Sequence, residues 1–430
     1  MRFANVTIVS LSSYTVKTPN DPKGWTLPVS IRTSYRHTRA ACCLGYVTQA
    51  IVNNFVPLLL ITFNRTWGLD LGRLGLLLSI NFGIQLFIDL IGAAAVDRIG
   101  YRPSIVAAHL FAAAGLILLA ILPFVTPDPY VGILAAIAVY AVGGGLTEVL
   151  VSPIMEACPT DHKEGQMSLL HSFYCWGHCF VIIVSTGFFI VCGTDKWPIM
   201  ACLWAILPLL NAVYFLLVPI RTMKEETDGV QLSLGGLLAK PVFWLLIVMM
   251  VCAGASEQGM SQWASAFAEA GLGVSKTVGD LAGPLMFAFL MGLSRLTMSR
   301  LSTRFSDSSM MLVCCGLCAV SYLLAALSPW PVLSLIGCGL CGLSVGVMWP
   351  GTFNAAAADC RGGGTAMFAL LALAGDLGCA SGPWFVGQMT KLSPSGSLKA
   401  GMLPAILFPV LLGAGVLLLC LRRRKKTGGD

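Results

Sequence analysis

Five charged side chains interrupt otherwise apolar stretches of this 430-residue sequence, and they are the residues best placed to do chemistry. Four are acids and one is a base: Asp89, Glu148, Glu257, Asp376 and Arg295. A charge inside an apolar stretch is costly and usually serves a function. One arginine cannot neutralise four acids. We therefore expect the remaining acids to hold a proton, bind a cation or contact water.

Three of these acids and two histidines are candidates for proton coupling: Glu148, Glu257, Asp376, His171 and His178. The histidines fall on one face of a predicted helix, seven residues apart, with a tyrosine and a cysteine between them on the same face. Histidine titrates near neutral pH, so a relay to Glu148 is one interpretation. A polar helix face satisfied by neighbouring helices is the other.

Polar and aromatic residues near these charges are candidates for a solute cavity. Amide, hydroxyl and carboxyl groups can donate to and accept from a hydroxylated solute, and an indole offers a flat face to a sugar ring. The candidates are Asn53, Asn54, Ser152, Gln258, Ser261, Gln262, Trp263, Trp349 and Asn354. The alternative for those near Glu257 is hydrogen bonding between helices.

Two further patterns concern the same charges. Arg295 and Asp376 are predicted to form an ion pair, which would be structural or act in gating. Asn81, Gln85 and Asp89 form a stripe at i, i+4 and i+8, which either lines a pathway or packs against another helix.

The apolar stretches around these residues exclude an ordinary soluble protein. Hydrophobic residues make up 56% of the chain and charged residues only 11%, against about 25% charged residues in soluble proteins. A membrane-crossing helix needs about 20 mostly apolar residues, and these stretches are too long and continuous for barrel strands. Twelve spans are predicted, at residues 40–63, 74–96, 103–125, 130–155, 167–192, 198–219, 241–268, 280–300, 309–328, 331–357, 364–390 and 400–421.

A polar break in the middle of the chain divides the spans into six and six. A weak repeat relates the halves, because Arg98 and Arg102 recur as Arg300 and Arg304 at an offset of 202 residues. Parallel repeats of this kind place the solute site near the midplane between the halves. The predicted organisation is an N-terminal tail (1–38), a six-helix bundle (39–219), a linker (220–240), a second six-helix bundle (241–421) and a basic tail (422–430).

The distribution of lysine and arginine predicts the orientation. Twenty lie on the side of the two termini and six on the opposite side, so we expect a multi-pass cell-membrane protein with both termini and the linker in the cytoplasm. No metal site, no nucleic-acid partner and no cofactor beyond a coupling proton or sodium ion are expected. The catalytic pattern His-Glu-x-x-His is absent from the sequence, and an enzyme is not expected.

The segment Asp97-Arg98-Ile-Gly100-Tyr-Arg102 resembles the loop between helices 2 and 3 that marks the major facilitator superfamily. The resemblance implies an all-α fold of twelve transmembrane helices in two pseudo-symmetric six-helix bundles. It also implies that Asp97, Arg98, Gly100 and Arg102 form a conformational latch against the start of helix 11. Because one chain supplies both bundles, we expect it to function as a monomer.

Within that superfamily the chain is similar to the fucose-permease branch of proton-coupled sugar symporters. Glu148 precedes Pro153 by five residues, and Trp349-Pro-Gly-Thr-Phe353 is close to the branch's helix 10. The branch has an acid in helix 1, whereas residues 52–57 contain none. The resemblance implies proton-coupled uptake of a small polar solute, such as a sugar, by alternating access. An exporter or antiporter of drugs or metabolites is the alternative, and a membrane-embedded enzyme or sensor is a remote one.

Overall fold

Twelve helices long and apolar enough to cross a membrane make up most of the computed structural model, which describes residues 31–159, 163–221, 234–301, 306–360 and 364–427. The first six are α1 (Tyr35–Trp67), α2 (Leu71–Leu90), α3 (Tyr101–Val125), α4 (Pro129–Met155), α5 (Leu169–Cys192) and α6 (Thr194–Leu217). The second six are α7 (Pro241–Ser261), α8 (Lys276–Thr297), α9 (Ser308–Leu327), α10 (Pro331–Asp359), α11 (Leu370–Leu392) and α12 (Leu398–Arg424).

Several helices extend beyond their apolar parts. Continuous helix covers Leu71–Ile99, Lys163–Cys192 and Gly364–Leu392. The first helix begins at Tyr35, inside the segment predicted as the N-terminal tail, and the Ser34 side chain caps it. The last continues to Thr427, beyond the predicted bundle boundary. Helix ends are set by capping groups as well as by hydropathy, so apolar content alone misplaces them.

The segment predicted as a linker is only partly described. Residues 222–233 lie outside the described residues, and a short helix, Leu234–Leu238, leads into α7.

Helix pairing repeats between the two halves. In the first half, α3 packs against α4 and α6, α1 against α5, and α2 against α4. In the second half, α9 packs against α10 and α12, α7 against α11, and α8 against α10. The halves contact each other along α2 with α11 and along α5 with α8. This repeated pairing is that of two pseudo-symmetric six-helix bundles, so the predicted fold class is confirmed.

Glycines bring α7 and α11 into backbone contact. A Cβ atom on Gly378 would collide with the Val251 carbonyl, and one on Gly254 would collide with the Gly375 carbonyl. Small residues permit such close approach between membrane helices, where packing rather than hydrophobic burial drives association. The contact fixes the helix that carries Asp376 against the helix that carries Glu257.

Candidate functional site

A network of amide side chains joins α1, α2 and α4 and ends at a carboxylate. Asn53 Oδ1 accepts from Asn81 Nδ2 at 3.1 Å and from Gln85 Nε2 at 2.8 Å. Gln49 Nε2 donates to Gln85 Oε1 at 2.7 Å and to Glu148 Oε2 at 3.1 Å. All of these residues except Glu148 are at least 95% buried. Gln49 is not among the residues predicted from the sequence, although its position one helical turn before Asn53 places it on the same face.

Three carboxyl groups meet at the boundary between the halves. Oxygens of Asp89 on α2, Glu148 on α4 and Asp376 on α11 all lie within 4.8 Å of one another. We call these three residues the carboxyl cluster. No lysine or arginine in the described ranges forms an ion pair with any of them. Asp89 Oδ1 is buried and has no hydrogen-bond partner within the described part of the chain.

The predicted pair between Arg295 and Asp376 is not formed. Arg295 Nη2 instead lies 3.7 Å from Glu257 Oε2, while Asp376 belongs to the carboxyl cluster. The reason is packing: α11 contacts α2 along the boundary between the halves, which places Asp376 beside acids of the first half. Gln258 Nε2 donates to Glu257 Oε1 at 3.1 Å, and Gln262 Nε2 donates to Gln258 Oε1 at 2.9 Å.

The two histidines of α5 have different surroundings. His171 is exposed, and its ring centroid lies 5.4 Å from that of Tyr46. The Tyr46 hydroxyl in turn shares a hydrogen bond of 3.0 Å with Ser152 Oγ. His178 is buried, and its Nδ1 has no partner among the described residues. No hydrogen bond between described groups links either histidine to Glu148, so the relay stays a prediction.

The remaining cavity candidates are dispersed. Asn54 Nδ2 donates to a backbone carbonyl of its own helix at 2.9 Å and approaches the Tyr174 hydroxyl at 3.5 Å. Ser261 is buried, whereas Asn354 is exposed. Trp349 is half-buried, and its Nε1 is a buried donor that lacks a partner in the described ranges.

The prediction that the Trp263 ring is available to stack on a solute does not agree with its packing. It is fully buried, and its Nε1 donates to the Pro383 carbonyl at 2.9 Å. Its ring fills the space between Gly75 of α2 and Gly387 of α11, at 3.2 Å from a Cβ placed on either glycine. Gln262 and Trp263 keep right-handed helical dihedral angles after α7, so Trp263, six residues beyond Glu257, projects from a different face, between the halves.

The predicted latch is only partly described. Gly100 ends the second helix with φ of +98°, a conformation that glycine adopts without strain. The Arg102 guanidinium donates to the carbonyls of Phe215 at 2.9 Å and Leu216 at 2.7 Å, so among the described residues it caps α6 within the first half. The side chains of Asp97 and Arg98, and residues 361–363, lie outside the described residues.

Polar contacts also join the halves on the side away from the two termini. Lys276 at the start of α8 donates to the Leu58 carbonyl of α1 and pairs with Asp280 at 3.2 Å. Thr186 Oγ1 of α5 donates to Asp280 Oδ2 at 3.3 Å. Nearby, Arg65 near the end of α1 forms an ion pair of 2.7 Å with Glu269, which lies in the chain after α7. We call these contacts the distal closure; it is formed by Leu58, Arg65, Thr186, Glu269, Lys276 and Asp280.

The family model of the Major Facilitator Superfamily matches residues 42–383. The chain belongs to the major facilitator superfamily. The resemblance inferred from the sequence is thus confirmed, and the chain is a multi-pass membrane transporter of small-molecule solutes rather than an enzyme. A search of curated proteins finds no match.

Solved structures share the whole fold of this transporter at low identity. A bacterial homolog of the human lysosomal transporter Spinster, inward-facing and occupied, has a TM-score of 0.72 and 15% identity over 90% of this chain and 97% of that one. A D-xylose–proton symporter has a TM-score of 0.72 and 16% identity over 90% and 97%. The transporter FucP in the outward conformation has a TM-score of 0.61 and 15% identity over 89% and 98%. At these identities the likeness shows the fold and leaves the solute open.

Two chemical functions are available between the halves of this transporter. The carboxyl cluster can share a proton, because three carboxylates this close repel one another unless a proton or cation joins them. Its oxygens are also the ligands that hard cations prefer. The second function lies at Arg295, a donor of hydrogen bonds to anions, beside the polar residues of α7.

Proposed function

We propose that this transporter takes up a small polar solute together with protons, by alternating access to a site between its two halves. The carboxyl cluster is the observation that carries the proposal. Its members come from both halves, so the separation of their charges changes when the halves move relative to each other. Protonation and conformation are therefore coupled through one group of atoms.

The strength of the repulsion makes this coupling effective. Two like unit charges 4 Å apart interact by about 4 kcal/mol at an effective dielectric constant of 20. A proton taken up by the carboxyl cluster removes one such repulsion and stabilises the approach of Asp376 to Asp89 and Glu148. Loss of that proton favours separation of the halves at this point. The Gln49 amide, which donates to Glu148, positions the carboxylate for the exchange.

The distal closure supports an assignment of the conformational state. The excess of lysine and arginine on the side of the termini supports a cytoplasmic location for that side. The distal closure then lies on the extracellular side, where it separates the site from the exterior. In this assignment the structure represents a state closed to the outside, and uptake requires the distal closure to break and reform in each cycle.

Sodium is the second candidate for the coupling ion. Three carboxylate oxygens within 4.8 Å of one another would suit a bound cation as well as a shared proton. A proton gradient and a sodium gradient can be imposed separately across a vesicle membrane, so the same preparation can test both ions.

The test is solute-driven proton movement into liposomes that contain the purified transporter and a pH-sensitive dye. We expect internal acidification on addition of one class among sugars, sugar acids and small polar metabolites. Glu148→Gln should abolish the acidification, whereas Asp195→Asn, which changes an exposed acid outside the site, should retain it. Acidification that persists in Glu148→Gln would disprove the role of Glu148. Solute uptake driven only by an imposed sodium gradient would identify sodium as the coupling ion.

A further inference from the structure

One edge of the Arg295 guanidinium has only weak partners among the described residues. Its Nε is buried and has no hydrogen-bond partner among the described residues. Its Nη2 lies 4.0 Å from the Met291 sulfur and 3.7 Å from Glu257 Oε2, which is too long for a hydrogen bond, and the Cys175 thiol is a further weak partner of the guanidinium. The Nε and Nη2 hydrogens point in parallel from one edge of the planar group. That edge fits the two oxygens of a carboxylate.

The acid opposite this edge is also incompletely satisfied. Glu257 Oε1 accepts from Gln258, but Oε2 is buried and accepts no hydrogen bond from any described group. Just after this helix, Gln262 Oε1 is another buried acceptor without a partner in the described ranges. Buried polar atoms are nearly always hydrogen-bonded in folded proteins, so the unpaired Arg295 Nε and the neighbouring Glu257 Oε2 indicate a site for a polar molecule.

The position of Arg295 is suited to a solute that moves between the halves. Side chains of the first half that interact electrostatically with the guanidinium include Tyr46, His171, Tyr174 and Cys175. The arginine itself belongs to α8 of the second half and is 23% exposed. A molecule bound at its free edge would therefore be enclosed by side chains from both halves, as alternating access requires.

The charges around the site restrict the solute further. Arg295 is one positive charge, and Glu257 and the carboxyl cluster are four acids. A solute with one negative charge can replace Glu257 on the guanidinium. A phosphate with two negative charges would add repulsion from the acids, and a neutral sugar would leave the carboxylate-binding edge unfilled.

We infer that the transported solute is a hydroxylated monocarboxylate, such as a sugar acid, whose carboxylate binds the Nε and Nη2 edge of Arg295. The hydroxyl groups of the solute donate to Glu257 Oε2 and Gln262 Oε1, which supplies the missing partners of both acceptors. The inference rests on the proposed function for the movement of the solute, but the binding site it names can be tested without transport.

The test is binding to the purified full-length transporter, measured as a ligand-dependent shift of its melting temperature. Four hexoses that differ mainly in charge serve as probes: glucose, glucosamine, glucuronate and glucose 6-phosphate. Gluconate and lactate extend the set of monocarboxylates. We expect stabilisation by glucuronate or gluconate and little by the neutral, cationic and phosphorylated sugars.

Variants of Arg295 locate the bound carboxylate. Loss of a charge-assisted bidentate contact should weaken binding about tenfold or more in Arg295→Gln. Arg295→Lys keeps the charge but lacks the planar edge, so it should bind more weakly than wild type and more tightly than the glutamine variant. Arg73→Gln, which removes an exposed arginine outside the site, should bind like wild type.

The outcomes separate this inference from the proposed function. Carboxylate binding that depends on Arg295, without proton movement in the liposomes, would support the inference and overturn proton coupling. Proton movement driven by glucose, with no carboxylate binding, would overturn the inference and leave proton coupling in place. Silence from all three monocarboxylates, or equal binding by the Arg295→Gln and wild-type proteins, would also overturn the inference.

Discussion

The two regions that join the halves balance their charges in opposite ways. In the distal closure every acid has a basic partner: Asp280 pairs with Lys276 and Glu269 pairs with Arg65. In the carboxyl cluster three acids meet without a paired base in the described ranges. A contact in which each acid is paired with a base is stable without a bound ion, so opening it requires free energy from elsewhere in the transport cycle. A cluster of unpaired acids is stable only with a bound proton or cation, so binding and release of that ion can supply this free energy.

The largest expected effect comes from Asp376→Asn, which removes the only member of the carboxyl cluster contributed by the second half. A neutral amide no longer links protonation to the distance between the halves, so we expect gradient-driven accumulation of solute to fall to the level of passive equilibration. Exchange of labelled for unlabelled solute should persist, because exchange needs movement of the halves without net proton release. Both are measured in the same liposomes.

The stability of the Asp376→Asn variant tests the contrast between the two regions a second time. Because the substitution removes a like charge, the melting temperature should be equal to or higher than that of wild type. A lowered melting temperature together with lost exchange would mean that Asp376 is a structural residue, and the contrast between the two regions would then be wrong.

The second prediction concerns the balanced region. Asp280→Asn leaves Lys276 mostly buried with one carbonyl partner, and loss of one member of a buried pair costs about 3 kcal/mol. The distal closure should therefore open more often, which hydrogen exchange of residues 264–285 would detect as faster exchange. The double variant Lys276→Met/Asp280→Asn removes both charges and should recover much of the protection. Wild-type exchange in the single variant would show that the pair does not hold the closure.

A third variant tests close packing on the same side without a change of charge. A Cβ on Gly387 would lie 3.1 Å from the Leu71 carbonyl and 3.2 Å from the Trp263 ring, so Gly387→Ala should weaken the contact of α2 with α11 by about 1 kcal/mol. Gly316→Ala is the matched control, because a Cβ there meets nothing within 4 Å. Hydrogen exchange of the first turns of α2 measures the difference. Equal exchange in the two variants would mean that the neighbours of Gly387 yield without cost.

The sequence was sufficient to predict the fold and the helices that carry charge. Hydropathy alone indicates twelve spans, and the cost of a buried charge singles out Asp89, Glu148, Glu257, Arg295 and Asp376. These signals are local, since each depends only on neighbouring residues in the chain.

The pairing of these residues depends on helix rotation and on which helices are neighbours. The sequence allows Arg295 to pair with either Glu257 or Asp376. The contact of α11 with α2 decides between them, because it places Asp376 in the carboxyl cluster. Trp263 has a flat ring that could stack on a sugar, but packing against Gly75 and Gly387 buries it. Lys276 lies just before the predicted span 280–300, where its charge indicates only the orientation, and Asp280 is the first residue of that span. Only the packed structure shows that they join the halves.

The smallest expected effect comes from Arg65→Gln in the outer pair of the distal closure. The Arg65 side chain is 68% exposed, so water replaces much of the lost interaction, although Glu269 is only 7% exposed. Exposed ion pairs contribute about 1 kcal/mol or less, and added salt screens them further. We expect a small rise in hydrogen exchange of residues 264–285 at low ionic strength and almost none at high ionic strength, whereas the change in Asp280→Asn should persist in salt. If Arg65→Gln opened the distal closure as much as Asp280→Asn, the exposed Arg65–Glu269 pair would contribute as much as the buried Lys276–Asp280 pair. Burial of the pair would then not explain the stability of the closure.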